Sequence, residues 1–124
     1  MLGLSYQKDF IVQEKDLASS MASGNMDVLS TPSLCAYMEN CAFLGIQEKL
    51  ELNFTTVGFI LEIKHKIPSK LGAHIYVKST VIDVSEKKVT FEICAYEKDK
   101  IIATAKHVRV IVAKDEFIKK LTSN

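Results

Sequence analysis

The feature that most constrains this chain is an apolar stretch with one carboxylate in its middle. From residue 34 to residue 46, apolar or small side chains occupy almost every helical position, and no wide polar stripe remains. Such a helix is typical of a protein interior. Just before it, the sequence predicts Thr31 as the N-cap and Pro32 as the first helical residue. Glu39 lies in the middle, and a buried carboxylate must be paired, hydrogen-bonded or shifted in pKa.

The composition is that of a single ordinary globular domain over residues 1–124. Of its residues, 48% are hydrophobic and 25% are charged, and the net charge is +1. The near-neutral charge argues against nucleic acid as a partner, because binding to phosphates needs a basic surface. Cys35, Cys41 and Cys94 are odd in number and lack a C-x-x-C spacing. We therefore expect core thiols in a reducing compartment, without a disulfide and without a bound metal.

The first residues lack a basic head followed by a long apolar run, so we predict no signal peptide. No apolar run approaches the length that crosses a bilayer. We expect a cytoplasmic protein with no membrane partner.

The rest of the chain predicts a long antiparallel sheet around the helix. Runs rich in β-branched and aromatic residues alternate with short turns, and short connections favour a meander. A curved sheet that covers the apolar helix, joined by the N-terminal strand, gives an α+β domain. The predicted strands are 4–12, 54–67, 73–84, 88–97 and 101–113, with an irregular segment at 16–25 and a short helix at 115–121.

Strand alternation predicts which polar side chains face the helix. On strand 54–67, His65 shares an apolar face with Val57 and Phe59. Gly58 is isolated within this strand, a position typical of a bulge or of a close approach by another group.

The last strand predicts a buried cation and a second copy of the chain. His107 and Arg109 share a face with Ile101, Ala103 and Ala105, so the guanidinium needs an anion. The opposite face, which includes Ile102, is also apolar. Two apolar faces on one sheet predict a homodimer or a larger assembly.

Three helical residues form one stripe: Thr31, Cys35 and Glu39 are spaced at i, i+4 and i+8. With His65 opposite, they would make an acid–base constellation, and helix N-terminal N–H groups would hold an oxyanion. The residues alone leave a structural alternative for each member. These are a cap for Thr31, a paired buried acid for Glu39, a core histidine for His65 and a simple bulge for Gly58.

Several short motifs, taken together, resemble the hotdog-fold thioesterases of the fluoroacetyl-CoA thioesterase branch. They are Thr31-Pro32, Met38-Glu39, Val57-Gly58, His65 and His107-Val108-Arg109, within residues 5–112. The resemblance implies a hotdog fold and a dimer with its sites at the subunit interface. It also implies hydrolysis of an acyl-CoA or acyl-carrier thioester by Thr31, Glu39 and His65, with Gly58 and Arg109 contacting the substrate. No metal or redox cofactor is implied.

The sequence leaves the acyl group and the nucleophile open, because Thr31, Glu39 or water would each fit. The segment 16–25 shows no match to the lid of the type member, so a fluorinated substrate is not predicted. Near His65, Lys64, Lys66 and Lys70 would suit CoA phosphates. The alternatives are a non-catalytic acyl-CoA-binding hotdog module, a cystatin-like or nuclear-transport-factor-like ligand-binding domain, and a hotdog dehydratase.

Overall fold

The computed structural model describes residues 1–122 and contains every predicted helix and strand. The elements in order are β1 (Ser5–Ile11), a 3₁₀ turn (Glu14–Asp16), α1 (Thr31–Gln47), β2 (Phe54–His65), β3 (His74–Ser85), β4 (Lys88–Glu97), β5 (Lys100–Ala113) and α2 (Lys114–Thr122). Over this range, none of the helices combines the length and the apolar character needed to cross a bilayer.

The five strands form one antiparallel sheet in the order β1-β3-β4-β5-β2. As predicted, β1 joins the sheet, and β3, β4 and β5 form a meander. The predicted pairing of β2 with its successor β3 is wrong, because β2 pairs with β5 and occupies an edge. Residues 66–73 connect β2 to β3; eight extended residues reach about 27 Å, and three strand spacings need only about 14 Å.

Helix α1 lies across the inner face of the sheet. It contacts both edge strands, β1 and β2, as well as β3 and β4, so the sheet curves around it. The hydrophobic core between them includes Leu34, Met38, Cys41, Ile75, Val77, Phe91 and Ile93. Gly45 permits the closest approach to β1, because a methyl group there would lie 2.7 Å from Tyr6 Cβ.

The prediction that α1 is buried on every side is wrong for a single copy of the chain. Its sheet-facing side is buried, but a stripe on the other side remains exposed or half-buried. The stripe consists of Pro32, Cys35, Ala36, Glu39, Asn40 and Phe43. The helix therefore carries more apolar surface than one sheet covers.

A bulge in β2 changes the predicted alternation and confirms the prediction for Gly58. Gly58 pairs with Arg109 and Ile60 pairs with Val108, so Phe59 is the extra residue. The bulge leaves Gly58 on the inner face together with His65, as the burial of Thr56 two residues earlier indicates. The prediction that Val57 and Phe59 share the face of His65 is therefore wrong, and Phe59 is 58% exposed.

A second bulge lies in β5 and changes the predicted faces of two residues. Tyr96 pairs with Ile101 and Ala95 pairs with Ala103, which leaves Ile102 as the extra residue. Ile102 points into the core, whereas Ile101 is 43% exposed. The prediction for His107 and Arg109 is confirmed, since both are buried on the inner face.

Candidate active site

The first residues of α1 present the Thr31 hydroxyl outside the helix. Ser30, and not Thr31 as predicted, is the N-cap: its Oγ accepts a hydrogen bond from the Ser33 N–H at 3.1 Å. Thr31 is the first helical residue and Pro32 the second. Because Ser30 caps the helix, the Thr31 side chain is left to bond elsewhere.

Thr31 and His65 form a hydrogen-bonded pair, with 2.8 Å between Thr31 Oγ1 and His65 Nδ1. The histidine ends β2, and its burial lowers its pKa. The other ring nitrogen, Nε2, is buried and forms no hydrogen bond of ordinary geometry among residues 1–122, although the Ile67 backbone lies close enough to the ring to oppose the fall in its pKa. A hydroxyl within hydrogen-bond reach of a neutral imidazole is the first part of the arrangement that activates a nucleophile, and a third group bonded to Nε2 would complete it.

The predicted set of free N–H groups at the helix N-terminus is reduced to one. Pro32 has no N–H, Ser33 N–H bonds to Ser30 Oγ, and Leu34 N–H bonds to the Ser30 carbonyl. The Thr31 N–H has no acceptor in the described part of the chain. It lies beside the Thr31 hydroxyl, where a developing oxyanion would need a donor.

A cavity of about 270 Å³ opens onto this pair. One wall comes from the irregular segment before the helix, and the other comes from the connection after β2. The lining residues include Ala18, Ser23, Val28, Lys66, Ile67 and Pro68.

Glu39, Gly58 and Arg109 form a second cluster farther along α1. A methyl group at Gly58 would lie 2.7 Å from Glu39 Oε2 and 3.7 Å from an Arg109 terminal nitrogen. The close approach predicted at Gly58 is therefore confirmed, and the approaching group is the carboxylate. The same residues line a shallow groove of about 390 Å³.

The Arg109 side chain is held at three nitrogens. Its Nε donates to Thr56 Oγ1 at 2.7 Å, one terminal nitrogen donates to the Thr56 carbonyl at 3.0 Å, and the other lies 3.2 Å from His107 Nε2. Burial lowers the pKa of the guanidinium, and the charge of Glu39 opposes that shift. Glu39 is the carboxylate whose charge acts on Arg109, although the two side chains form no ion pair within 4.0 Å among the described residues. Neither the tether on Thr56 nor the contact with His107 was predicted. The first depends on the pairing of β2 with β5, and the second depends on the orientation of two side chains on one face of β5.

The two clusters lie apart in one copy of the chain. Thr31 and Glu39 are eight residues apart on α1, which corresponds to about 12 Å along the helix. Cys35 lies between them, and its burial, together with the charge of Glu39, raises the pKa of the thiol. The structure therefore brings Thr31 to His65, and Glu39 to Gly58 and Arg109, but it does not bring Glu39 to His65.

One protein-family model matches residues 12–115, and its description is "FlK: Fluoroacetyl-CoA-specific thioesterase". No curated protein matches the chain by sequence.

Solved structures share the fold at low sequence identity. The fluoroacetyl-CoA thioesterase FlK is 16% identical with a TM-score of 0.93, over 100% of this chain and 96% of its own. Its F36A mutant in complex with fluoroacetate and CoA is 16% identical with a TM-score of 0.89, over 94% and 98%. A hot-dog-like protein from Thermanaerovibrio acidaminovorans is 23% identical with a TM-score of 0.90, over 98% and 90%. The α+β hotdog fold is therefore confirmed.

Proposed function

Because the chain belongs to the fluoroacetyl-CoA-specific thioesterase family, we propose that it hydrolyses an acyl-CoA thioester to the free acid and CoA. The observation that carries this proposal is the 2.8 Å contact between Thr31 Oγ1 and His65 Nδ1. A core histidine would be expected to satisfy both ring nitrogens, whereas His65 Nε2 is buried and forms no hydrogen bond of ordinary geometry among the described residues.

The proposed reaction begins at Thr31. His65 takes the hydroxyl proton while Thr31 Oγ1 forms a bond to the thioester carbonyl carbon. The Thr31 N–H stabilises the oxyanion, and the carbon–sulfur bond then breaks as His65 returns the proton to the thiolate. Water hydrolyses the acyl-threonine ester and restores the hydroxyl. These steps use protein groups and water, and no metal or redox cofactor takes part.

Glu39 is proposed to activate that water from a second copy of the chain. Within one copy, Glu39 lies about 12 Å along the helix from Thr31. Gly58, which contacts Glu39, lies seven residues from His65 on β2, about 20 Å along the strand when the bulged Phe59 is not counted. Antiparallel pairing of two β2 edges reverses the direction of the second strand and moves its Gly58 and Glu39 towards His65.

A homodimer joined at β2 has further support in the exposed surface. The free edge of β2 is 12 residues long, and its centre presents Phe59 and Ile60, which are 58% and 39% exposed. A long apolar edge is a template for pairing with another strand. The exposed stripe on α1 lies on the side of the helix that the sheet leaves uncovered.

The proposed substrate is a non-fluorinated acyl group on CoA or on a carrier protein. Lys66 lines the cavity beside His65, so a cation is available for CoA phosphates. The three cysteines are unpaired, which suits the reducing cytoplasm, and we propose that location.

Thiol release from a panel of acyl-CoA esters tests the proposal. The panel holds acetyl, fluoroacetyl, butyryl, phenylacetyl and palmitoyl esters. We expect Thr31→Ala and His65→Gln to lose at least about 100-fold in kcat, and Thr31→Ser to retain activity. Thr80→Ala and His74→Gln are matched controls on the surface. Absence of turnover by the wild type on every ester would contradict the proposal and favour a non-catalytic module.

A further inference from the structure

The side chain of His107 contacts both the β2 bulge and the Arg109 side chain. No sequence motif indicates this link. His107 is 0% exposed on the inner face of β5. Its Nδ1 lies 2.7 Å from the Ile60 carbonyl oxygen, and its Nε2 lies 3.2 Å from an Arg109 terminal nitrogen. Phe91 stacks on the ring with 5.8 Å between centroids.

The two neighbours determine where the imidazole proton resides. A carbonyl oxygen only accepts, so Nδ1 must carry the hydrogen and donate to Ile60. A guanidinium only donates, so Nε2 must be the unprotonated nitrogen that accepts from Arg109. The charged groups that face the ring are Arg109 on β5 and Glu39 on α1. Burial has the largest effect on the pKa of His107 and lowers it; the bond to the Ile60 carbonyl and the charge of Glu39 oppose the shift, and the charge of Arg109 adds to it. The net lowering agrees with a neutral ring.

The bond to Ile60 also stabilises the bulge that places Gly58. Ile60 follows the extra residue Phe59, at the point where the β2–β5 register shifts. A side-chain donor there fixes the backbone two residues after Gly58, against which the Glu39 carboxylate packs. Through its other nitrogen, the same ring fixes the guanidinium beside that carboxylate.

We propose that His107 is a positioning residue, which in its neutral Nδ1–H form holds the Arg109 guanidinium and the β2 bulge around the Glu39 carboxylate. The link to catalysis depends on the proposed function, but the link between His107, Arg109 and the bulge does not. His107 touches neither substrate nor reacting atoms in this scheme. It acts through Arg109 and Gly58.

The first test is spectroscopic and requires no enzymatic activity. In ¹⁵N-labelled wild type at neutral pH, we expect the His107 nitrogens to show the Nδ1–H tautomer. We expect the terminal N–H signals of Arg109 that face His107 to exchange slowly, to be retained in His107→Gln and to be lost in His107→Leu. Glutamine keeps a donor and an acceptor on one group, whereas leucine has neither. An Nε2–H tautomer, or an Arg109 signal unchanged in His107→Leu, would overturn the proposal.

The second test is kinetic and uses the same variants. We expect His107→Leu to lower kcat by about 100-fold, with a much smaller change in KM, because a small misplacement of reacting groups costs about that much. His107→Gln should recover part of the loss, and His107→Leu should add little to the loss of an Arg109→Leu variant. Unchanged kcat in a folded His107→Leu protein would overturn the proposal. If His107→Leu does not fold, the wild-type tautomer and the kcat of His107→Gln test the proposal instead.

If the wild type hydrolyses no ester, the proposed function fails while the spectroscopic test still decides on His107. If the wild type is active and the tautomer is wrong, only the positioning role fails.

Discussion

At the scale of single residues, Gly58 offers a substitution that disturbs the site more than the fold. A methyl group there would lie 2.7 Å from Glu39 Oε2, the end of a flexible side chain. We expect Gly58→Ala to move the carboxylate instead of the backbone. It should lower kcat by about 100-fold with little change in the midpoint of thermal unfolding.

A double variant separates this effect from strand distortion. In a Glu39→Ala background the clashing oxygen is absent, so Gly58→Ala should cause almost no further loss of activity. If the two losses multiply, the methyl group acts on the strand and the explanation through Glu39 is wrong.

The acid limb of the pH profile reports on His65. The neutral ring is the proposed base, and burial lowers its pKa from the ordinary value of 6.5. A lowered pKa keeps the ring neutral further into acid, so kcat/KM should decline only below pH 6.5 as protonation removes the base. The limb should be absent from the residual activity of His65→Gln. A midpoint at or above 6.5 would contradict the assignment.

Sequence reasoning named most residues of the candidate site but did not predict their grouping. Glu39 and Arg109 were recognised as charges on apolar faces, and Gly58 as an interruption of a strand. Val57 and Phe59 were assigned to the wrong face because one extra residue reverses the period-two alternation. His107 was seen as part of a motif, but its partner is a backbone carbonyl at that bulge, which no side-chain pattern reveals.

At the scale of elements, two adjacent residues at the start of α1 have different roles: Ser30 caps the helix, and Thr31 is a candidate catalytic residue. Ser30 Oγ accepts from the Ser33 N–H, whereas Thr31 Oγ1 contacts His65. We expect Ser30→Ala to lower the free energy of unfolding by about 1 kcal/mol, and Thr31→Ala to change it by less than about 0.5 kcal/mol.

Urea unfolding and thiol release on the same two variants check this pair. Thr31→Ala should lose activity while stability stays near that of the wild type, and Ser30→Ala should show the larger loss of stability. The reverse order of stabilities would mean that Thr31 caps the helix, as its sequence position alone suggested.

The elements themselves were predictable because periodicity and turn residues are local signals. The strand order was not. Although β2 and β3 are consecutive and joined by a short connection, β2 pairs with β5 and forms one edge of the sheet. Strand pairing depends on how the curved sheet packs around α1, and residues far apart in the sequence determine that packing. What the sequence does indicate is that α1 carries more apolar surface than one sheet covers.

At the scale of the whole molecule, the separation of the two clusters means that one copy of the chain does not unite the three proposed catalytic residues. Thr31 with His65 and Glu39 with Gly58 lie about 12 Å apart along α1. The free β2 edge and the exposed stripe of α1 adjoin these clusters, since His65 and Gly58 belong to β2 while Thr31 and Glu39 belong to α1. A dimer joined there would contain two sites, each with Thr31 and His65 from one copy and Glu39 from the other.

This arrangement predicts complementation between two inactive variants. When Thr31→Ala and Glu39→Gln proteins are unfolded together and refolded, half of the dimers are mixed, and each mixed dimer has one intact site. Activity should recover to roughly a quarter of the wild-type value, whereas each variant refolded alone should stay inactive. Refolding Thr31→Ala with His65→Gln is the matched control. It should restore nothing, because both changes affect the half-site supplied by the same copy. No recovery in the test pair would contradict a site shared between copies, whereas recovery in the control would mean that Thr31 and His65 of one site come from different copies.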